Sequence, residues 1–115
     1  MKKILIVEDD SVTRTILRTV LSSEYEVVEA GNGEEALVKL DGVDLIICDF
    51  HMPHMTGLEF AEKIQNRNIP FFMLTTETDL EAREKSKTFG VKGWLTKPFA
   101  PNHLLNRIRK TLEPA

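Results

Sequence analysis

Apolar residues fall into five short runs that recur about every twenty residues, at 3–7, 25–29, 43–48, 69–74 and 93–95. The runs Ile4-Leu5-Ile6-Val7 and Leu45-Ile46-Ile47-Cys48 are continuous rather than alternating, which is the pattern of parallel strands buried on both faces. Between the runs, apolar residues recur at helical spacing: Val12, Ile16, Leu17, Val20 and Leu21; Ala36, Leu37 and Leu40; Leu58, Ala61 and Ile64; and Leu104, Leu105, Ile108 and Leu112. Each stripe can cover one face of a sheet, so the pattern predicts an α/β fold of (βα)5 type with a five-stranded parallel sheet between helices. Boundary residues agree: Ser11 is expected to cap the first helix, Asn32 or Gly33 to open the second, Gly90 to end the fourth in a left-handed conformation, and Pro101 to occupy the first turn of the last. The fourth helix, about 79–89, has the poorest stripe, reduced to Leu80, Ala82 and Phe89 beside Arg83, Lys85 and Lys87, and is expected to be the most mobile element.

Composition narrows the picture. A chain of 115 residues, 42% apolar, is sized for a single domain spanning 1–115 and can be stable without a disulfide or structural metal. Cys48 is the only cysteine and has no intrachain partner. Nothing after Met1-Lys2-Lys3-Ile4 reads as a signal peptide and no apolar run approaches the ~20 residues of a membrane span, so a cytoplasmic protein is expected. Glu113-Pro114-Ala115 reads as a tail or the start of a linker. The net charge of −3 argues against general affinity for nucleic acid, yet it conceals an asymmetry: residues 83–112 sum to +7 and the remainder to −10, with Glu8, Asp9 and Asp10 adjacent.

Ligands of an open α/β sheet bind beyond the carboxyl ends of its strands. The residues there are polar: Glu8-Asp9-Asp10 after the first strand, Asp49 after the third, Thr75-Thr76 after the fourth and Thr96-Lys97-Pro98 after the fifth. Carboxylates converging at one end repel by up to about 4 kcal/mol per close pair at an effective dielectric near 20, so a cation belongs there. Mg2+ suits a site of few carboxylates, water and a phosphoryl oxygen. Lys97 supplies a second positive charge, Thr75 a hydroxyl donor, and Asp49, ending the central apolar strand, is the candidate nucleophile toward phosphorus. Asp9, beside two other acids, is better placed as a metal ligand.

Taken together, Ile4-Leu5-Ile6-Val7-Glu8-Asp9-Asp10, Asp49 followed by Met52-Pro53-His54-Met55-Thr56-Gly57, then Thr75 and Lys97-Pro98-Phe99, resemble the receiver domain of two-component response regulators, the family of the single-domain chemotaxis response regulator. The resemblance covers nearly the whole chain and implies a flavodoxin-like sheet in the order 2-1-3-4-5. It implies that Asp49 accepts a phosphoryl group from a sensor histidine kinase or phosphotransfer protein. It further implies that Asp9, Asp49 and the backbone carbonyl of His51 bind Mg2+, with Glu8 acting through a metal-bound water. Lys97 would pair with the phosphoryl group, held before a cis Pro98, and Thr75 would turn toward it on activation. The family's aromatic switch residue, usually Tyr or Phe, corresponds to the bulkier Trp94.

His51 and Thr76 are expected to flank the phosphoryl group and tune its hydrolysis. The output surface is expected on the fourth helix, fifth strand and fifth helix. Its +7 balance points to an acidic protein partner and, with Glu84 the only acid in 83–112, to a monomer. Such a domain is no enzyme beyond catalysing its own phosphorylation and dephosphorylation. Within the family, the alternative is the receiver half of a longer DNA-binding regulator. An aspartyl-nucleophile phosphatase wants D-x-D after its first strand, and a flavodoxin wants a phosphate loop where this chain has three acids. The pattern Asp49-x-His51-x-x-His54 is too loose for zinc, Met52 and Met55 read as loop packing, and Cys48 as a small buried hydrophobe.

Overall fold

The computed structural model describes residues 1–76 and 80–113, without the side chain of Leu80. The expected helix start at Asp79, the side chain of Leu80 and the tail residues Pro114 and Ala115 therefore lie outside the described residues. The chain runs β1 (Lys3–Val7), α1 (Ser11–Leu21), β2 (Glu26–Ala30), α2 (Gly33–Leu37), β3 (Leu45–Asp49), α3 (Gly57–Ile64), a 3-10 turn (Gln65–Arg67), β4 (Phe71–Thr75), α4 (Leu80–Lys87), β5 (Val91–Thr96) and α5 (Pro101–Leu112). All four strand pairings are parallel, in the order β2-β1-β3-β4-β5. This is the flavodoxin-like arrangement expected.

Strand alternation sorts the continuous apolar runs onto two faces. Leu5, Val7, Ile46, Cys48, Phe71 and Met73 pack with Ala36, Phe60 and Ala61 from α2 and α3. Ile4, Ile6, Leu45, Ile47, Phe72 and Leu74 pack with Leu17 and Leu21 of α1 and Leu104 and Ile108 of α5. Met52 and Met55 fill the first cluster, and Cys48 is fully buried within it, its thiol pushed well above its usual range by burial and by nearby Asp49 and Glu8. Among the described residues no helix is long and apolar enough to cross a membrane.

Several expected boundaries move. Asp10, not Ser11, caps α1: its carboxylate accepts from Thr13 N at 3.1 Å and Thr13 Oγ1 at 2.6 Å. Asn32 caps α2, but that helix ends at Leu37 instead of reaching Leu40, because the chain tightens into a turn with Lys39 N donating to Ala36 O at 3.0 Å. β5 is longer than 93–95. Its ladder with β4 takes in Val91 and skips one residue, Phe71 facing Val91 and Phe72 facing Gly93. Gly90 does end the turn after α4 with φ +85, and Pro101 does open α5.

Candidate functional site

Parallel strands all end at one edge, so β1, β3, β4 and β5 deliver Glu8, Asp49, Thr75 and Lys97 to a single place. Asp49 is the last residue of β3 and is 5% exposed, Glu8 directly after β1 is 1% exposed, and Thr75 at the end of β4 is fully buried. Lys97 Nζ stands 2.7 Å from Glu8 Oε1 and 3.2 Å from Asp49 Oδ1. One ammonium thus bridges two buried carboxylates. Its backbone N–H donates to Thr75 O at 2.9 Å, and the Lys97–Pro98 bond is cis, as the resemblance implied.

Ligand oxygens of Glu8, Asp9 and Asp49 lie within 4.8 Å of one another. The ammonium of Lys97 meets Glu8 at Oε1, and among the described residues the buried Oε2 has no hydrogen-bond partner. A buried carboxylate oxygen without a donor, next to two more carboxylates, fits a hard oxygen-seeking dication. The carboxyl of Glu8 is pushed up to about 7, first by burial and then by Asp49, with Lys97 pulling the other way. The Lys97 ammonium is held above its ordinary range by Glu8 and Asp49, which together outweigh its desolvation. Asp10, the third acid of the run, is instead committed to the cap of α1, and its hydrogen bonds from Thr13 lower its pKa.

Thr76 lies near Lys97, and His51 and Trp94 both meet Phe50, the residue after Asp49. His51 is exposed, its ring 4.7 Å from that of Phe50. Thr76 is exposed and lines, with Lys97, Thr13, Ile16, Phe99 and Pro101, a largely apolar hollow of about 400 Å³ beside the site. Trp94 lies half-buried on β5. Its indole N–H donates to Ser86 Oγ at 2.9 Å, its ring meets Phe50 edge-on at 5.3 Å, and Arg83 lies 5.5 Å above it. His54 is exposed, with φ +70.

Three contributors escaped the sequence reading. Ser86 is 1% exposed and accepts from Trp94 eight residues away, Phe50 links the residue after Asp49 to Trp94, and Arg14 donates to the Glu8 carbonyl. The helical spacing of Ala82 and Ser86 was the one available signal, since it puts the serine on the buried face of α4.

The family described as the response regulator receiver domain matches residues 4–109. Among solved structures, the chemotaxis protein CheY4 of Vibrio cholerae superposes with a TM-score of 0.91 at 39% identity, covering 97% of this chain and 99% of that one. The chemotaxis protein CheY1 of Helicobacter pylori is 35% identical, the alignment covering 96% of each chain. A probable transcriptional regulator, ycf27 of Cyanophora paradoxa, is 39% identical over 96% of this chain but only 48% of its own length. The chain thus spans about half the length of several curated relatives that it matches. With a match that runs from β1 into α5, and a sheet in the same order, this chain belongs to the response regulator receiver domains of two-component signalling and resembles the chemotaxis response regulators.

Proposed function

We propose that the domain is a phosphorylation switch in which Asp49 accepts a phosphoryl group from a phosphohistidine on a sensor kinase or phosphotransfer protein. The observation that carries this reading is the ammonium of Lys97 standing within 3.2 Å of both Glu8 and Asp49 where β1, β3 and β5 end. Asp49 is held at the end of a rigid central strand with a carboxylate oxygen available to attack phosphorus. The O–P bond forms as the N–P bond of the donor breaks, and the imidazole leaves with the nitrogen electron pair. Lys97 then exchanges a carboxylate partner for a phosphoryl oxygen, and the Thr75 hydroxyl donates to another. Asp9, Asp49 and the His51 carbonyl would hold Mg2+, with Glu8 acting through water; the cation supplies the charge that offsets an anion approaching three carboxylates. His51 and Thr76, both exposed beside the site, set access for the hydrolytic water. The domain thereby catalyses only its own phosphorylation and dephosphorylation.

The test is intact mass after incubation with acetyl phosphate. One phosphoryl adduct is expected with Mg2+, with little in excess EDTA and none in Asp49→Asn. An adduct that forms in Asp49→Asn, or equally well without metal, overturns the assignment.

Output through the face of α4, β5 and α5 follows from Trp94, which touches Phe50 beside the phosphoacceptor and Ser86 on α4. The basic character of that face is smaller than the sequence total suggests. Among the described residues Lys97 is turned into the site, Arg109 pairs with Glu24 and Lys87 with Glu84, while Arg83 lies over Trp94 and Arg107 over Phe72; Lys85, Lys92 and Lys110, with the outer faces of those two arginines, are offered to an acidic protein partner of a monomeric domain. Trp94 is the only tryptophan, so its emission reports this face. Mg2+ with beryllofluoride, which mimics the phosphoryl group, is expected to change Trp94 emission in the parent protein and not in Thr75→Ala. An equal response in both would break the coupling between Thr75 and Trp94. The comparison with longer regulators supports one alternative, a receiver half joined to a DNA-binding region, which would leave the chemistry at Asp49 unchanged.

A further inference from the structure

Arg14 has no part in the roles assigned above, yet it reaches the site from the second turn of α1. Its Nη1 donates to the backbone carbonyl of Glu8 at 2.8 Å, while its Nε pairs with Glu29 Oε1 on β2 at 3.3 Å. Glu29 is itself held: Arg18 pairs with its other oxygen at 3.0 Å, and Lys39 Nζ donates to its carbonyl at 2.7 Å. We propose that Arg14 is a positioning residue for the cation site, fastening the Glu8–Asp9 peptide against β2 and so setting where both carboxylates stand relative to Asp49. The inference rests on the reading that Glu8, Asp9 and Asp49 hold Mg2+.

The need for such a fastening follows from the backbone. The pairing of β1 with both neighbours ends at Val7, opposite Ala30 and Cys48. Past that point the Glu8 amide is fixed to Ala30 O at 3.0 Å, and Asp10 is fixed by Arg14 N on its carbonyl at 3.0 Å and by Thr13 on its carboxylate. The peptide between them carries the two acids of the cluster, and Arg14 Nη1 is the side-chain donor that meets its carbonyl. Mg2+ demands near-octahedral geometry and tolerates ligand displacement poorly, so slack in this peptide weakens binding. A planar guanidinium can serve the carbonyl and Glu29 together, whereas a single ammonium group is a point charge that matches this fork poorly.

Charge and position make opposite predictions here. If Arg14 acted only as a nearby cation, its removal would tighten Mg2+ binding; if it positions the peptide, its removal weakens binding. Calorimetric titration of Mg2+ into the full chain, with thermal melts alongside, separates them. Arg14→Met is expected to bind Mg2+ about tenfold more weakly and Arg14→Lys to fall between it and the parent, the range typical of groups that orient metal ligands. Arg18→Met, which loses a contact to the same Glu29 without touching the Glu8 carbonyl, is expected to keep parental affinity. Labelling by acetyl phosphate should recover in Arg14→Met at saturating Mg2+. Unchanged or tighter Mg2+ binding in Arg14→Met overturns the proposal, as does an equal loss in Arg18→Met. Should Arg14→Met fail to fold, parental affinity in Arg14→Lys overturns it. A parent chain that takes up no Mg2+ overturns the functional reading and this inference with it, whereas a parent that binds normally beside an unaffected Arg14→Met overturns this inference alone.

Discussion

Gly57→Ala is expected to destabilise the domain by about 3 kcal/mol and to slow phosphorylation of Asp49 by about tenfold even at saturating Mg2+. Gly57 opens α3 beneath the capping box of Thr56 and Glu59, and its N–H donates to Phe50 O at 2.8 Å. A Cβ there would lie 2.5 Å from the carbonyl oxygen of Asp49, 2.6 Å from Met73 Sδ and 3.0 Å from Phe50 Cα. The thioether can rotate away, but the other two neighbours are backbone, and one belongs to Asp49. Relief must come from moving the end of β3, which carries the Asp49 carboxylate and lies against Trp94 through Phe50. Urea unfolding and the rate of acetyl phosphate labelling read the two effects separately. Gly90→Ala is the control: it has φ +85 with open space around it, so it is expected to lose about 1 kcal/mol to backbone strain and nothing in labelling rate. Parental stability in Gly57→Ala would mean that helix and strand are not in the contact described.

In metal-free buffer the domain is expected to lose stability as pH rises from about 4.5 to about 7, and Mg2+ to restore it at pH 8 but not at pH 5. The carboxyl of Glu8 is raised to about 7 in the fold from 4.5 when exposed, so between those values the native state holds a proton that the unfolded chain has released. Stability therefore falls with rising pH across that window, by an amount on the order of 3 kcal/mol. The lowered carboxyls of Asp10, Glu24, Glu35 and Glu59 act in the opposite direction, losing their contribution as pH falls below the ordinary carboxylate range, and all four are exposed or partly so. The raised Lys97 matters only above its usual range, outside the window. Mg2+ bound to the ionised cluster offsets the burial of its charge and adds stability in proportion to the logarithm of its concentration over Kd. Thermal melts at pH 5 and pH 8, with EDTA or Mg2+, check this. Glu8→Gln should flatten the metal-free profile and lose most of the Mg2+ response; a profile in Glu8→Gln identical to the parent would assign the pH dependence to another group.

The sheet was legible in the chain because its causes are local. A strand covered on both faces needs apolar residues at consecutive positions, as in Ile4-Leu5-Ile6-Val7 and Leu45-Ile46-Ile47-Cys48, and parallel strands put their carboxyl ends on one edge, so the polar residues after them had to meet. Asp49, Lys97, Thr75 and the acidic run were identifiable for that reason. The role of Asp10 and the pairing of Glu8 with Lys97 were not. Glu8, Asp9 and Asp10 are chemically alike and adjacent, and only the turn from β1 into α1 decides that Glu8 is buried against Lys97 and that Asp10 is consumed in capping α1, a role the sequence assigned to Ser11. Helix ends and strand lengths shifted for a related reason: α2 stops where a turn competes for the same backbone groups, and β5 extends because β4 offers a ladder past its glycine. The contacts between Trp94, Ser86 and Phe50, and between Arg14 and the Glu8 carbonyl, join residues on different elements. No periodicity encodes such pairs, because they depend on the crossing of helix and strand, which tertiary packing alone sets.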